Sequence, residues 1–111
     1  MPEDKHFVKQ GDTVRKFRRR LLDGNGVPAN VTGATVVFSM RVKPSGTVKV
    51  NAQAATVVDG GGGLVEYGQV AADVDAANIF ESEWKVTYSD GSIQRFPNDG
   101  YYDTIVTDNI A

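Results

Sequence analysis

The chain has 111 residues, with twelve Lys and Arg against fourteen Asp and Glu, one histidine and no cysteine. Such a length makes one domain, residues 1–111, able to bury roughly two-thirds of the surface its unfolded form exposes without assistance. The missing cysteine excludes a disulfide framework, a thiolate metal site and a cysteine nucleophile, and a net charge of −2 argues against a general nucleic-acid binder.

No run approaches the roughly 18 apolar residues of a membrane span. The start, Met-Pro-Glu-Asp-Lys-His, has no apolar signal-peptide region, so synthesis and assembly in a cytoplasm is the expectation. The charges are unevenly placed. Residues 1–50 hold ten Lys and Arg against four Asp and Glu, and residues 51–111 hold two against ten. A sandwich interleaves its halves, so the asymmetry is expected to cancel in space. If it does not, one copy's basic edge would meet another's acidic edge in head-to-tail association.

Residues 1–4 form a polar lead, and residues 5–10 read as a first edge strand closed by Gly11-Asp12. His6 has no second histidine and no cysteine to work with, so it reads as a surface or edge residue rather than a metal ligand or general base. Residues 14–22 put Phe17 and Leu21 on one parity with Arg19 between them. Helical spacing also fits, but the Asp23-Gly24-Asn25-Gly26 turn that follows favours strand. Arg15, Lys16, Arg18, Arg19 and Arg20 could grip phosphates; in an acidic chain they read instead as a solvated face or a contact for an acidic protein surface. Asp23 and Asn25 have the first spacing of a calcium loop, but Val27 stands at the next ligand position and no closing glutamate follows, which leaves a turn.

Ala34, Val36, Phe38, Met40 and Val42 alternate with Thr35, Ser39, Arg41 and Lys43, the two-residue period of a half-buried strand. Val37 is the one apolar intruder. A turn at 43–46 leads to a short strand at 47–50 and a weakly apolar tract at 52–58, whose small residues suggest a strand at the sheet edge or one packed closely against a neighbour. Asp59 and four glycines lack the Lys-Ser/Thr of a phosphate loop and precede Leu64-Val65-Glu66-Tyr67, so they read as a flexible hairpin loop. Residues 70–78, rich in alanine, suggest one or two helical turns. Residues 79–88 form the central strand: Phe80, Ser82, Trp84, Val86 and Tyr88 face one way, Glu81, Glu83, Lys85 and Thr87 the other. Asp90-Gly91 is a hairpin signal into residues 92–96. Pro97 and an Asn98-Asp99-Gly100 turn then precede a last strand at 101–107. About seven to nine strands with frequent turns predict an all-β, immunoglobulin-like antiparallel β-sandwich lacking the antibody cysteine pair.

Phe7-Val8-Lys9-Gln10-Gly11-Asp12-Thr13, Leu21-Leu22-Asp23-Gly24-Asn25-Gly26-Val27-Pro28 and Val31-Thr32-Gly33-Ala34-Thr35-Val36-Val37-Phe38-Ser39-Met40 together resemble the N-terminal domain of phage baseplate upper proteins. Gly63-Leu64-Val65-Glu66-Tyr67, the run from Phe80 to Gly91, and Phe96-Pro97-Asn98-Asp99-Gly100-Tyr101 agree with it, so the resemblance spans nearly the whole chain. It implies a tailed-phage or prophage structural component, present in several copies in the virion, docked on other virion proteins, without catalysis or cofactor. Members of that family continue into a linker and a coiled segment, which leaves an adaptor or decoration subunit as an alternative to the baseplate protein itself.

The candidate contacts are therefore Arg15, Arg18 and Arg20 on the basic strand and Tyr101 and Tyr102 near the last strand. A different class of function, glycan binding, would use Trp84 or the Tyr101-Tyr102 pair as a stacking platform, although Trp84 shares parity with Phe80 and Val86 and so reads as core. An enzyme is the weakest reading, since no Gly-x-Ser-x-Gly nucleophile motif accompanies the single histidine.

Overall fold

A computed structural model describes residues 5–97 and 100–108. The polar lead at 1–4 and the Asn98-Asp99 part of the last expected turn lie outside the described residues. Among the described residues nine strands follow in chain order: β1 (Lys5–Lys9), β2 (Phe17–Arg20), β3 (Thr35–Val42), β4 (Val48–Ala54), β5 (Thr56–Asp59), β6 (Leu64–Tyr67), β7 (Asn78–Thr87), β8 (Ile93–Phe96) and β9 (Tyr102–Thr107). One 3-10 turn, Ala71–Val74, supplies the expected helical bridge before β7.

The strands form two sheets. One runs β1-β9-β7-β3-β4, with β8 also on β7; the other is β2-β6-β5. Their order is that of an immunoglobulin sandwich. The small sheet takes the places of strands B, E and D, while β4, β3, β7 and β9 take those of C′, C, F and G. The tryptophan sits on the F-like strand β7 rather than the C-like strand of antibody domains.

β7 is the centre of the larger sheet, as its alternation predicts. It pairs with β3 over β3's whole length, from Thr35↔Thr87 to Val42↔Phe80. Its opposite edge is shared, first by β9 at Asn78 to Ser82 and then by β8 at Trp84 to Thr87. Because side chains alternate across a strand, this register stacks Val36, Phe38 and Met40 beside Val86, Trp84 and Ser82 on one face. From the other sheet Phe17, Val65 and Tyr67 meet them. Phe38 stands at the middle, its ring 4.9 Å from Tyr67, 4.8 Å from Trp84 and 5.5 Å from Phe17. Aromatic contacts across the two sheets thus fix their separation.

Three expectations need correction. β1 joins β9 in parallel, Lys5↔Asp103 to Lys9↔Thr107, so one pairing departs from an antiparallel sandwich. The tract at 52–58 is not one strand: the chain leaves β4 at the edge of the larger sheet, crosses at Ala55 and enters β5 at the edge of the smaller one. Ala55, at the crossing, packs against the core. The four-glycine loop, expected to be flexible, is pinned between neighbouring segments. Val31 N–H donates to Gly60 C=O and Leu21 N–H to Gly63 C=O, each at 2.8 Å. A Cβ on Gly63 would lie 2.7 Å from the Ala29 oxygen, and its φ of +70° favours glycine as well.

The basic strand is shorter than expected. Residues 14–16 stay outside β2 because its partner β6 offers only Leu64–Tyr67. Interleaving neutralises part of the charge asymmetry. Arg18–Glu66, Arg41–Glu81, Lys43–Asp103 and Lys49–Asp75 each join a cation of the first half to a carboxylate of the second.

Candidate functional site

The five residues expected to make contacts do not share a surface. In β2, Phe17 and Arg19 point inward and Arg18 and Arg20 outward, the alternation expected of a strand. Arg18 lies opposite Glu66 on β6 and donates to its Oε2 from Nη2 at 2.7 Å and Nε at 3.0 Å. Arg20 donates from Nη1 to the Gly62 carbonyl at 2.6 Å. These two arginines thus stiffen the outer face of the small sheet. Arg15 lies in the loop before β2, exposed, with no ion pair among the described residues.

Tyr101 and Tyr102 part company. Tyr102 is only 7 % exposed, and Arg19, the inward cation that interrupts the apolar parity of β2, lays its guanidinium 3.9 Å from the ring centroid. This corrects the expectation for Tyr102: it offers no surface to a partner, because the even positions of β9 face the core. Tyr101 is 45 % exposed, on the outer face of the larger sheet, with the Arg41 guanidinium 4.8 Å from its centroid. A concavity of about 160 Å³ beside it is lined by Ser39, Arg41, Asn51, Glu81 and Glu83. There Glu81 accepts from the Ser45 N–H at 2.9 Å and from Arg41 Nε at 2.8 Å, and these bonds hold its carboxyl below the usual range. Trp84 is 2 % exposed, as its parity predicts. Of the three rings available for sugar stacking, two are therefore inside.

The side of the sandwich carrying the β1 and β2 edges, to which the basic cluster Arg15, Lys16 and Arg18 pointed in sequence, holds a wide opening. A trough of about 640 Å³ is lined by Lys5, His6, Phe7, Val14, Arg15, Lys16, Arg18 and Glu66. A second hollow of about 270 Å³ shares Phe7 and Arg15 and continues past Lys9, Asp12 and Thr107. One lip is β1, with Phe7 58 % exposed; the other is the loop before β2, with Val14 88 % exposed. That loop is held in shape. Gln69, itself buried, donates from Nε2 to the Asp12 carbonyl at 3.0 Å and the Arg15 carbonyl at 2.7 Å, and Asp12 Oδ1 accepts from the Val14 N–H at 3.0 Å. The signal for this lip was present: Lys5, Phe7 and Lys9 share one parity, opposite to Val8.

His6 is on an edge strand, as expected, but turned inward, its ring 4.7 Å from Phe17. Burial first, then the charges of Arg19 and Arg15, hold its imidazole below the ordinary value of 6.5. Its Nε2 is buried without a hydrogen-bond partner among the described residues.

These features define an immunoglobulin-like β-sandwich with a filled core and one open side. No protein-family model matches the chain, and no curated protein matches it in sequence. Among solved structures it is similar to the N-terminal domain of phage TP901-1 ORF48, with a TM-score of 0.61 at 16% identity over 91% of this chain and 82% of that one. It is also similar to CopC from Methylosinus trichosporium OB3b, with a TM-score of 0.54 at 15% identity over 96% and 87% of the two chains. At such identities the likeness is one of fold.

Proposed function

We propose that this domain is a structural component of a tailed-phage or prophage particle, a rigid interaction module that docks on other virion proteins in several copies. The carrying observation is the likeness to the phage ORF48 domain along nearly the whole chain, in agreement with the sequence motifs that resemble baseplate upper proteins. A filled aromatic core supports the reading, since such a sandwich holds its shape while its loops and edges vary. The module acts without catalysis or cofactor, as a tail or baseplate part or as an adaptor subunit. No observation favours glycan binding: Trp84 and Tyr102 are inside, and Arg41 packs over the ring of Tyr101.

Electron microscopy of particles labelled with an antibody against this chain tests the proposal. The expected result is label at one fixed structural position in several copies; purified particles that lack the chain would refute it.

A further inference from the structure

We infer that the free edge of β1 is a strand-addition site that takes an extended, acidic segment of another protein into the trough between β1 and the loop before β2. This rests on the proposed role as an interaction module.

The edges of the sandwich are not equivalent. β4 is broken by register shifts against β3, with Ala52 at a φ of 50° between its regular stretches. β5 has an irregularity between Val57 and Asp59. Such bulges are common ways of blunting an edge. β1 has none, and its five residues keep one register with β9; the other two regular outer strands, β2 and β8, are shorter, at four residues each.

The N–H of Gln10 donates to the Thr107 carbonyl at 2.9 Å. In a parallel ladder the residues alternate between facing the partner strand and facing away. His6, Val8 and Gln10 therefore face β9, and the backbone groups of Lys5, Phe7 and Lys9 turn to the open side. The Lys9 carbonyl is used by the Asp12 N–H at 3.1 Å. Among the described residues, the N–H and C=O of Lys5 and Phe7, with the N–H of Lys9, remain as a strand template. Five residues at about 3.3 Å each give it a length of about 16 Å.

The trough selects by charge. Lys5, Lys9, Arg15, Lys16 and Arg18 line its two parts against only Asp12 and Glu66. An added strand would alternate, one set of side chains running beside Phe7 between Lys5 and Lys9, the other facing Val14, Arg15 and Lys16. Lysines alone could serve to repel other edges. Exposed Phe7 and Val14 on opposing lips do not repel; they add apolar contact area to the charge match.

The test titrates the isotope-labelled full chain with a synthetic peptide alternating valine and glutamate, and with the same peptide carrying lysine for glutamate. The glutamate peptide is expected to shift the amides of Lys5, Phe7 and Lys9 and to slow exchange of the Phe7 amide. Phe7→Pro removes the outward N–H while leaving the ladder to β9, so it should weaken binding about tenfold or more, and Phe7→Ala less. Arg15→Glu, in a loop position away from the core, should weaken it comparably. Equal binding of the lysine peptide, or unchanged binding by Phe7→Pro, would overturn the inference. Self-association abolished by Phe7→Pro, with no peptide binding, would make a second copy the occupant and overturn it too. Particles that contain the chain and assemble unchanged with Phe7→Pro would sink the edge site alone. Peptide binding through Phe7 by a chain absent from particles would uphold the edge site and remove the virion role.

Discussion

Along the β3 and β7 ladder the inward positions are Val36, Phe38, Met40, Phe80, Trp84 and Val86, with one serine among them, whereas along β1 and β2 they are His6, Val8, Phe17 and Arg19. The first region closes completely. The second admits polar side chains to the interior and leaves a basic trough along the edges of the two sheets. Interior polar side chains are tolerated at a sheet's margin because a long cation can lie over a ring, as Arg19 does over Tyr102, and still keep its head near water. The same tolerance at the centre would leave a charge unpaired and dry.

Substitution separates the regions most sharply at Phe38. Its ring contacts both sheets, so Phe38→Ala should cost about 3–5 kcal/mol of stability, read as a lowered urea midpoint. A loss no larger than that of a surface alanine substitution would show that the aromatic contacts do not hold the sheets together. Gly63→Ala should come next, with a loss above about 1 kcal/mol, since both the positive φ and the approach of the Ala29 oxygen oppose a side chain. An unchanged midpoint there would mean the loop is as slack as its composition suggests.

Those two sites also mark how far the sequence could be read. Parity placed Phe38 and Trp84 correctly because a strand with one wet face repeats every two residues, and the pattern survives without knowledge of its neighbours. Gly63 was misjudged because its constraint is non-local: Leu21 and Ala29, far away in the chain, crowd it. Tyr102 was misread for a similar reason, since two adjacent tyrosines look alike until β9 assigns them opposite faces. The trough was legible only in part, as the basic cluster Arg15, Lys16 and Arg18, because Phe7 and Val14 come to line one opening only once β1 has paired with the last strand.

Gln69 tests whether the trough is a built feature. Replacing it with alanine removes two hydrogen bonds that hold the loop at Asp12 and Arg15, for an expected loss of about 1–2 kcal/mol. More informative is hydrogen exchange at Val14 and Arg15, which should quicken while the β3 and β7 amides stay protected. Uniform loosening would tie the lip to the core instead.

The smallest effect expected is in pH, and it also belongs to the open side. His6 is held below 6.5 by burial and by Arg19 and Arg15, so the unfolded chain binds a proton more readily than the folded one. Its contribution is therefore fully present above pH 6.5 and is lost as pH falls below that value toward the folded one. Glu81 and Asp90 act in the same direction but only in more acid solution. Their hydrogen bonds, from Ser45 and Arg41 and from Ser92, stabilise the fold above their ordinary values of 4.5 and 3.8 and vanish as pH falls through their lowered ones. The windows separate, so urea midpoints measured between about pH 7 and pH 5 should fall for the native chain and stay nearly flat for His6→Gln. Equal slopes for the two would show that the imidazole is as well solvated folded as unfolded, which a ring packed 4.7 Å from Phe17 should not be.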